Sequence, residues 1–275
     1  MRPDAGTTPA DPSVSAKDVA RAAEAWTDDA VLGGRLHLLQ PKRGHRFGHD
    51  AVLLAASTPG RAGEHAVELG AGVGAAGLAL AVRLPGLRVT LVEIDAALAD
   101  AARENAVRNR LGDRVAAVRL DVASPPKVFA EAGLPAGCAD RVLMNPPFND
   151  PRRLSASPDP ERRRAHVADD ALLERWIAAA ARLLRSGGTL SVIYPADRLA
   201  ELLGLLGGAF GAAAVLPVHG KPEAAAIRVL VRAGKGARAP LALWPGLVLN
   251  DRAGQPTVEA EFVLRGGAAL PLAAP

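Results

Sequence analysis

Seven short apolar runs punctuate residues 65–231 of this 275-residue chain, and stretches with helical spacing separate most of them. The runs are His65–Leu69, Arg88–Glu93, Val115–Leu120, Ala139–Met144, Thr189–Ile193, Ala213–Val218 and Ala226–Val231. The helical stretches are Val73–Arg83, Ala96–Arg110, Ala168–Leu184 and Arg198–Phe210, with a shorter one after Ser124. Strands that alternate with helices of this length can bury both faces only as a mostly parallel sheet covered by helices on each side. The last two runs follow one another without a helix, so one of them is expected to run antiparallel. An α/β sheet of seven strands is the expectation.

Around this centre the chain divides into an N-terminal tail with a short helix (1–28), a main domain (29–240) and a small C-terminal β extension (241–275). Within the main domain, 29–56 reads as a hairpin and helix and 64–232 as the core sheet. The hairpin is Val31–Leu39 turning at Gly33-Gly34, and the helix spans His49–Ala56. Apolar residues make up 49% of the chain, enough for a sizeable core. The net charge of +4 and pI near 9.7 mildly favour a polyanionic partner. One cysteine, Cys138, excludes an internal disulfide framework and fits a reducing compartment. No apolar run reaches the roughly 18 residues of a membrane span, and residues 1–15 carry no hydrophobic signal core. A cytoplasmic protein without membrane contact is expected.

The first central run ends in Glu68-Leu69-Gly70-Ala71-Gly72-Val73-Gly74-Ala75-Ala76-Gly77. Glycines here allow positive φ and close approach of a ligand at the start of a helix. The segment also satisfies the dinucleotide fingerprint G-x-G-x-x-G, so a nicotinamide oxidoreductase is one alternative. Glu93 follows Gly74 by 19 residues at the end of the second run, where it suits a ribose hydroxyl in either case. Glu68 favours an ammonium-bearing ligand over a pyrophosphate. Asp95 is placed as the cap of the next helix, and Asp121 follows the third run.

Asn145-Pro146-Pro147-Phe148 leaves the fourth run. Two prolines stiffen the turn and leave carbonyls free to accept. The Asn145 amide oxygen is a further acceptor, and Phe148 offers a stacking face. Such a turn suits the holding of a planar NH₂ group.

With both stretches in hand, the chain resembles class I S-adenosylmethionine-dependent methyltransferases with a Rossmann-like sheet. Glu68–Gly74 matches the donor motif and Asn145–Phe148 the target-amine motif. Within that superfamily it is most similar to bacterial enzymes that methylate N6 of the adenosine beside the anticodon of a valine tRNA. Gln40–Ala56, Glu104-Asn105-Ala106, Leu249-Asn250-Asp251 and Glu259-Ala260-Glu261 carry this narrower likeness. The resemblance implies S-adenosylmethionine as cofactor and RNA, most often tRNA, as partner. It implies Phe47, Asp50, Glu68, Gly70, Gly72, Gly74, Glu93 and Asp121 around the donor. It places Asn145 and the Pro146 carbonyl on the acceptor amine, with Phe148 stacked on the base. Guanine N2 of rRNA and a protein glutamine amide are the other acceptors such a turn serves. His49 and the proline-rich segment 151–160 depart from the expected pattern.

Methyl transfer from a sulfonium needs placement more than acid–base help. No catalytic His or Cys and no metal site is expected. The segment 151–166 carries Arg152, Arg153, Arg162, Arg163 and Arg164, read as a basic lip for RNA phosphates that Lys42, Arg43, Arg46, Lys221 and Arg228 could extend. A monomer is favoured.

Overall fold

The computed structural model describes residues 25–43, 46–148 and 160–274. Strands β3 (His65–Leu69), β4 (Arg88–Glu93), β5 (Val115–Arg119), β6 (Ala139–Met144), β7 (Leu184–Pro195), β8 (Phe210–His219) and β9 (Ala226–Lys235) coincide with the seven apolar runs. They lie in the order β5-β4-β3-β6-β7-β9-β8, parallel except for β9, which is antiparallel to both neighbours. The sheet has nine strands rather than seven. The two additions, β10 (Ala242–Leu243) and β11 (Leu247–Val248), are two-residue pieces parallel to β8 at its open edge. Pro245 and Gly246 between them break what would otherwise be one longer strand.

Other boundaries also move. A separate two-stranded hairpin, β1 (Trp26–Val31) and β2 (Leu36–Pro41), takes in Trp26, Thr27 and Asp28, which the sequence pattern assigns to the tail. Residues 1–24 lie outside the described residues. The C-terminal extension is only partly β: after β11 it forms helix α7 (Val258–Leu264) and a 3₁₀ turn. Thr257 caps that helix by accepting from Ala260 N–H, a signal that a β reading overlooks.

Helices α1 (His49–Ser57), α2 (Ala75–Arg83), α3 (Ala96–Arg108), α4 (Pro126–Glu131), α5 (Pro160–Leu183) and α6 (Leu199–Leu206) fill the crossovers. Asp95 caps α3 as expected, accepting from Leu98 N–H at 3.0 Å. Helix α5 starts at Pro160 and not at Ala168; proline's fixed φ suits the first helical position. Among the described residues, no helix is long and apolar enough to cross a membrane.

Because side chains alternate across a strand, each strand feeds two cores. In β6, Val142 and Met144 face the core built on α5, while Leu143 faces the one built on α1 and α2. In β3, Val67 and Leu69 take the α5 side, which turns Ala66 and Glu68 toward α1 and α2. A carboxylate is thereby driven into an apolar layer.

Candidate functional site

The chain reverses its direction of travel across the sheet at β3, which has β4 on one side and β6 on the other. Open α/β sheets bind ligands at such a switch point, outside the carboxyl ends of the strands. Here Leu69 pairs with Met144, so the residues that follow, Gly70 and Asn145, leave the sheet side by side. A cavity opens there, lined by Phe47, Asp50, Glu68, Gly70, Gly72 and Asn145, with Arg46 and Leu98 at its sides.

The glycines in this loop do different work. Gly70 has φ +68, and a Cβ there would collide with the Trp176 ring of α5. Gly72 has φ +56 and nothing within 4 Å of the space a Cβ would take, so its face is open to a ligand. Gly74 does not line the cavity; it caps α2, and a Cβ there would come within 2.7 Å of Leu91.

Glu68 is buried, and its Oε2 accepts from Gly77 N–H at 2.7 Å. Burial pushes its carboxyl up to about 8, and the nearby Glu93 charge adds to this against the Gly77 hydrogen bond. Among the described residues it has no cationic partner. A buried acid on a cavity wall that lacks a counter-cation fits a ligand that brings an ammonium group. Glu93 stands behind the loop: its two oxygens accept from Gly72 N–H at 2.7 Å and Asp95 N–H at 2.9 Å. It therefore shapes the glycine turn. Asp121 is exposed at the end of β5 and accepts from Ala123 N–H at 2.8 Å, within its own turn. Neither acid lines the cavity, although the ends of β6, β3, β4 and β5 present Asn145, Gly70, Glu93 and Asp121 in spatial succession.

The hairpin holds the cavity's outer wall. Asn105 on α3 and Asn109 at its C-terminal cap act as a substitute strand for the edge of β2. Leu39 N–H donates to Asn105 Oδ1 (2.7 Å), Asn105 Nδ2 to Leu39 O (3.0 Å), His37 N–H to Asn109 Oδ1 (2.9 Å) and Asn109 Nδ2 to His37 O (2.7 Å). Four residues of helix advance about 6 Å and two of strand about 6.6 Å, so the pairs match. Asn105 Nδ2 also reaches Val73 O in the glycine loop at 3.0 Å. At the far end of β2, Asp29 Oδ2 accepts from Thr27, Gln40 and Arg46. The Thr27 and Gln40 hydrogen bonds hold its carboxyl below the usual range. Gln40 Oε1 then accepts from Phe47 N–H at 3.2 Å, fixing a cavity-lining residue.

On the acceptor side, Asn145 is half-buried, Pro146 buried and Phe148 half-buried. The Phe148 ring meets Tyr194 of β7 edge-on at 6.3 Å, and the Arg228 guanidinium lies 5.1 Å from its centroid. Asp50, read as a donor residue, is already paired with Arg228 Nε at 2.9 Å. Arg152 and Arg153 lie outside the described residues. Arg162, Arg163 and Arg164 fall at the start of α5 rather than in a loop. Lys42 and His49 are exposed. Sequence reasoning left Arg228 as one possible surface cation, and did not single out Trp176, Tyr194 or Leu98. Only the Cβ-less Gly70 hinted that a large ring packs behind it.

A family model described as "Methyltransferase small domain" matches residues 46–221. A Porphyromonas gingivalis protein named tRNA1(Val) (adenine(37)-N6)-methyltransferase is 34% identical over 161 residues, which is 57% of this chain and 61% of that protein. A Chlorobaculum tepidum release factor glutamine methyltransferase is 33% identical over 161 residues, 56% of this chain and 53% of that one. The chain thus spans 61% and 53% of the length of these relatives. Among solved structures, a protein from Agrobacterium tumefaciens named a predicted O-methyltransferase superposes with a TM-score of 0.68 at 32% identity, covering 80% of this chain and 98% of the other.

Proposed function

This chain belongs to the methyltransferase small domain family, and from that premise we propose that it transfers a methyl group from S-adenosylmethionine to N6 of an adenine in RNA. The RNA class is tRNA, and the leading position is the adenosine beside the anticodon of a valine tRNA. The observation that supports the reading is the pairing of Leu69 with Met144, beside which Asn145 lines the same cavity as Glu68, Gly70 and Gly72.

The bound cofactor supplies an electrophilic methyl with a good leaving group. The protein's own work is orientation, bringing nitrogen and carbon within about 3–3.5 Å in line. Glu68 receives the donor's ammonium group, which supplies the cation its buried carboxyl lacks. Gly72 lets the donor lie against the backbone. Asn145 Oδ1 and the Pro146 carbonyl accept the two N–H bonds of the adenine amine, stopping its rotation and drawing its lone pair out of the ring. Two acceptors on one turn suit an NH₂ group better than a hydroxyl, which has a single hydrogen to donate. That favours nitrogen over the oxygen acceptor in the Agrobacterium protein's name. A glutamine amide is also a planar NH₂, and such an amide is named as the substrate of the Chlorobaculum relative. The +4 charge and Arg152, Arg153, Arg162, Arg163 and Arg164 favour RNA. The free, half-buried Cys138 is compatible with a cytoplasmic setting.

Nucleoside mass spectrometry tests this. Incubating the protein with S-adenosylmethionine and tRNA lacking modifications should yield N6-methyladenosine in the valine tRNA fraction. Methylation confined to rRNA, or to a release-factor peptide, would move the assignment to another planar nitrogen.

A further inference from the structure

Arg228 stands on β9 and touches two walls that belong to different parts of the chain. Its Nε donates to Asp50 Oδ2 on α1 at 2.9 Å, and its guanidinium carbon lies 5.1 Å from the centroid of the Phe148 ring. Asp50 lines the donor cavity; Phe148 closes the acceptor turn. Nη1 donates to the Ile227 carbonyl at 3.0 Å, and Nη2 has no hydrogen-bond partner among the described residues. The backbone of Arg228 is held from both sides, since β9 pairs it with Pro195 of β7 and Val218 of β8. The reach of the side chain is therefore set by a rigid base.

We propose that Arg228 is a positioning residue that fixes the Phe148 ring, and with it the acceptor base, relative to the donor cavity. The inference rests on the methyltransferase reading and adds to it a link between the two half-sites. Arginine is suited to this role and lysine is not. A guanidinium can donate in its plane to a carboxylate while presenting its face to a ring, whereas an ammonium is a point charge that serves one partner at a time. The same contacts argue against Arg228 as a simple phosphate-binding cation, because Asp50 already neutralises it.

The test compares Arg228→Gln and Arg228→Lys with wild type in the full-length chain. Turnover and KM on tRNA, S-adenosylhomocysteine affinity, salt dependence of RNA binding and Tm are read together. Both variants should lose about 10- to 100-fold in kcat, since small misplacement of the acceptor has costs of that size. Homocysteine-ligand affinity should stay within about twofold, showing that the donor wall is intact. Full turnover in Arg228→Lys would overturn the proposal by reducing the contact to an ion pair with Asp50. A salt slope lowered by about one unit in Arg228→Gln, with kcat unchanged, would overturn it in favour of a phosphate contact. Should Arg228→Gln fold poorly by Tm, Arg228→Lys, which retains the charge beside Asp50, carries the comparison. Wild-type inactivity on tRNA would contradict the tRNA reading instead, and the same kcat ratios are then read on the rRNA or release-factor peptide that the wild type accepts.

Discussion

The donor half of the site and the acceptor half are built by different means. Around the donor cavity, a contiguous run from Glu68 to Gly77 supplies one wall, the turn and the helix start, and Phe47 and Asp50 complete the lining. Around the acceptor turn, Asn145–Phe148 is completed by Tyr194 on β7, Arg228 on β9 and Asp50 on α1. The first kind of site has its turn set by a local run and then held by Glu93 and Asn105. The second exists only once the sheet has formed. Damage to the first should therefore cost folding and cofactor binding, whereas damage to the second should cost turnover with the fold intact.

The largest effect is expected at Gly70→Ala, where a Cβ meets the Trp176 ring and the backbone sits at φ +68. A loss of about 3 kcal/mol or more in unfolding free energy is expected, measurable by urea denaturation. A change under about 1 kcal/mol would show that the loop tolerates a side chain and that the glycine serves the ligand instead. Asn105→Ala comes next. It strips the hairpin of its amide partner and leaves Leu39 N–H and the Val73 carbonyl without one. About 2–3 kcal/mol should be lost, along with affinity for S-adenosylhomocysteine as the Phe47 wall loosens. Retained affinity would separate the hairpin from the donor site.

Glu68→Gln sharpens the donor side through pH. In the folded protein the Glu68 carboxyl is raised from an ordinary 4.5 to about 8, so folding disfavours its ionised form. Wild type accordingly loses stability as pH climbs through that interval, and the glutamine variant does not. The Tm advantage of Glu68→Gln should grow between pH 5 and 8 by a few degrees. Binding of the ammonium-bearing ligand should run the other way: stronger with rising pH in wild type, weak and flat in the variant. A pH-independent wild-type affinity would detach Glu68 from the ligand. The smallest effect belongs to Arg162, Arg163 and Arg164 replaced together by Ala. RNA binding should weaken and its salt slope fall by up to about three units, while S-adenosylhomocysteine binding is untouched. An unchanged slope would remove the start of α5 from the RNA surface.

The same contrast explains what the sequence could reveal. The glycine turn, the Asp95 cap and the strand–helix alternation with one antiparallel strand near its end are patterns visible without coordinates. Asn145–Phe148 drew attention from sequence because two prolines fix its shape locally, and Asn145 does line the cavity. Arg228 was not, since nothing in its strand distinguishes a residue that crosses to Asp50 and Phe148 from one facing solvent. Glu93 and Asp121 carried expected ligand roles, yet each is engaged with nearby backbone, Glu93 with Gly72 and Asp95 and Asp121 within its own turn. A carboxylate's type and position leave open whether it serves a ligand or a turn. The two additional strands arise from pairings with β8 that lie outside any local window, whereas the start of α5 at Pro160 follows a local preference of proline for the first helical position.

Asn145→Ala tests the central claim most directly, because it removes one acceptor from the amine-holding turn and leaves the glycine loop whole. Turnover on tRNA and S-adenosylhomocysteine affinity should be measured on the same preparation. The account predicts a kcat lower by about a hundredfold or more, with ligand affinity within about twofold of wild type. Near wild-type turnover, or loss of ligand affinity equal to the loss of rate, would contradict a site in which Asn145 holds the acceptor at the rim of the donor cavity.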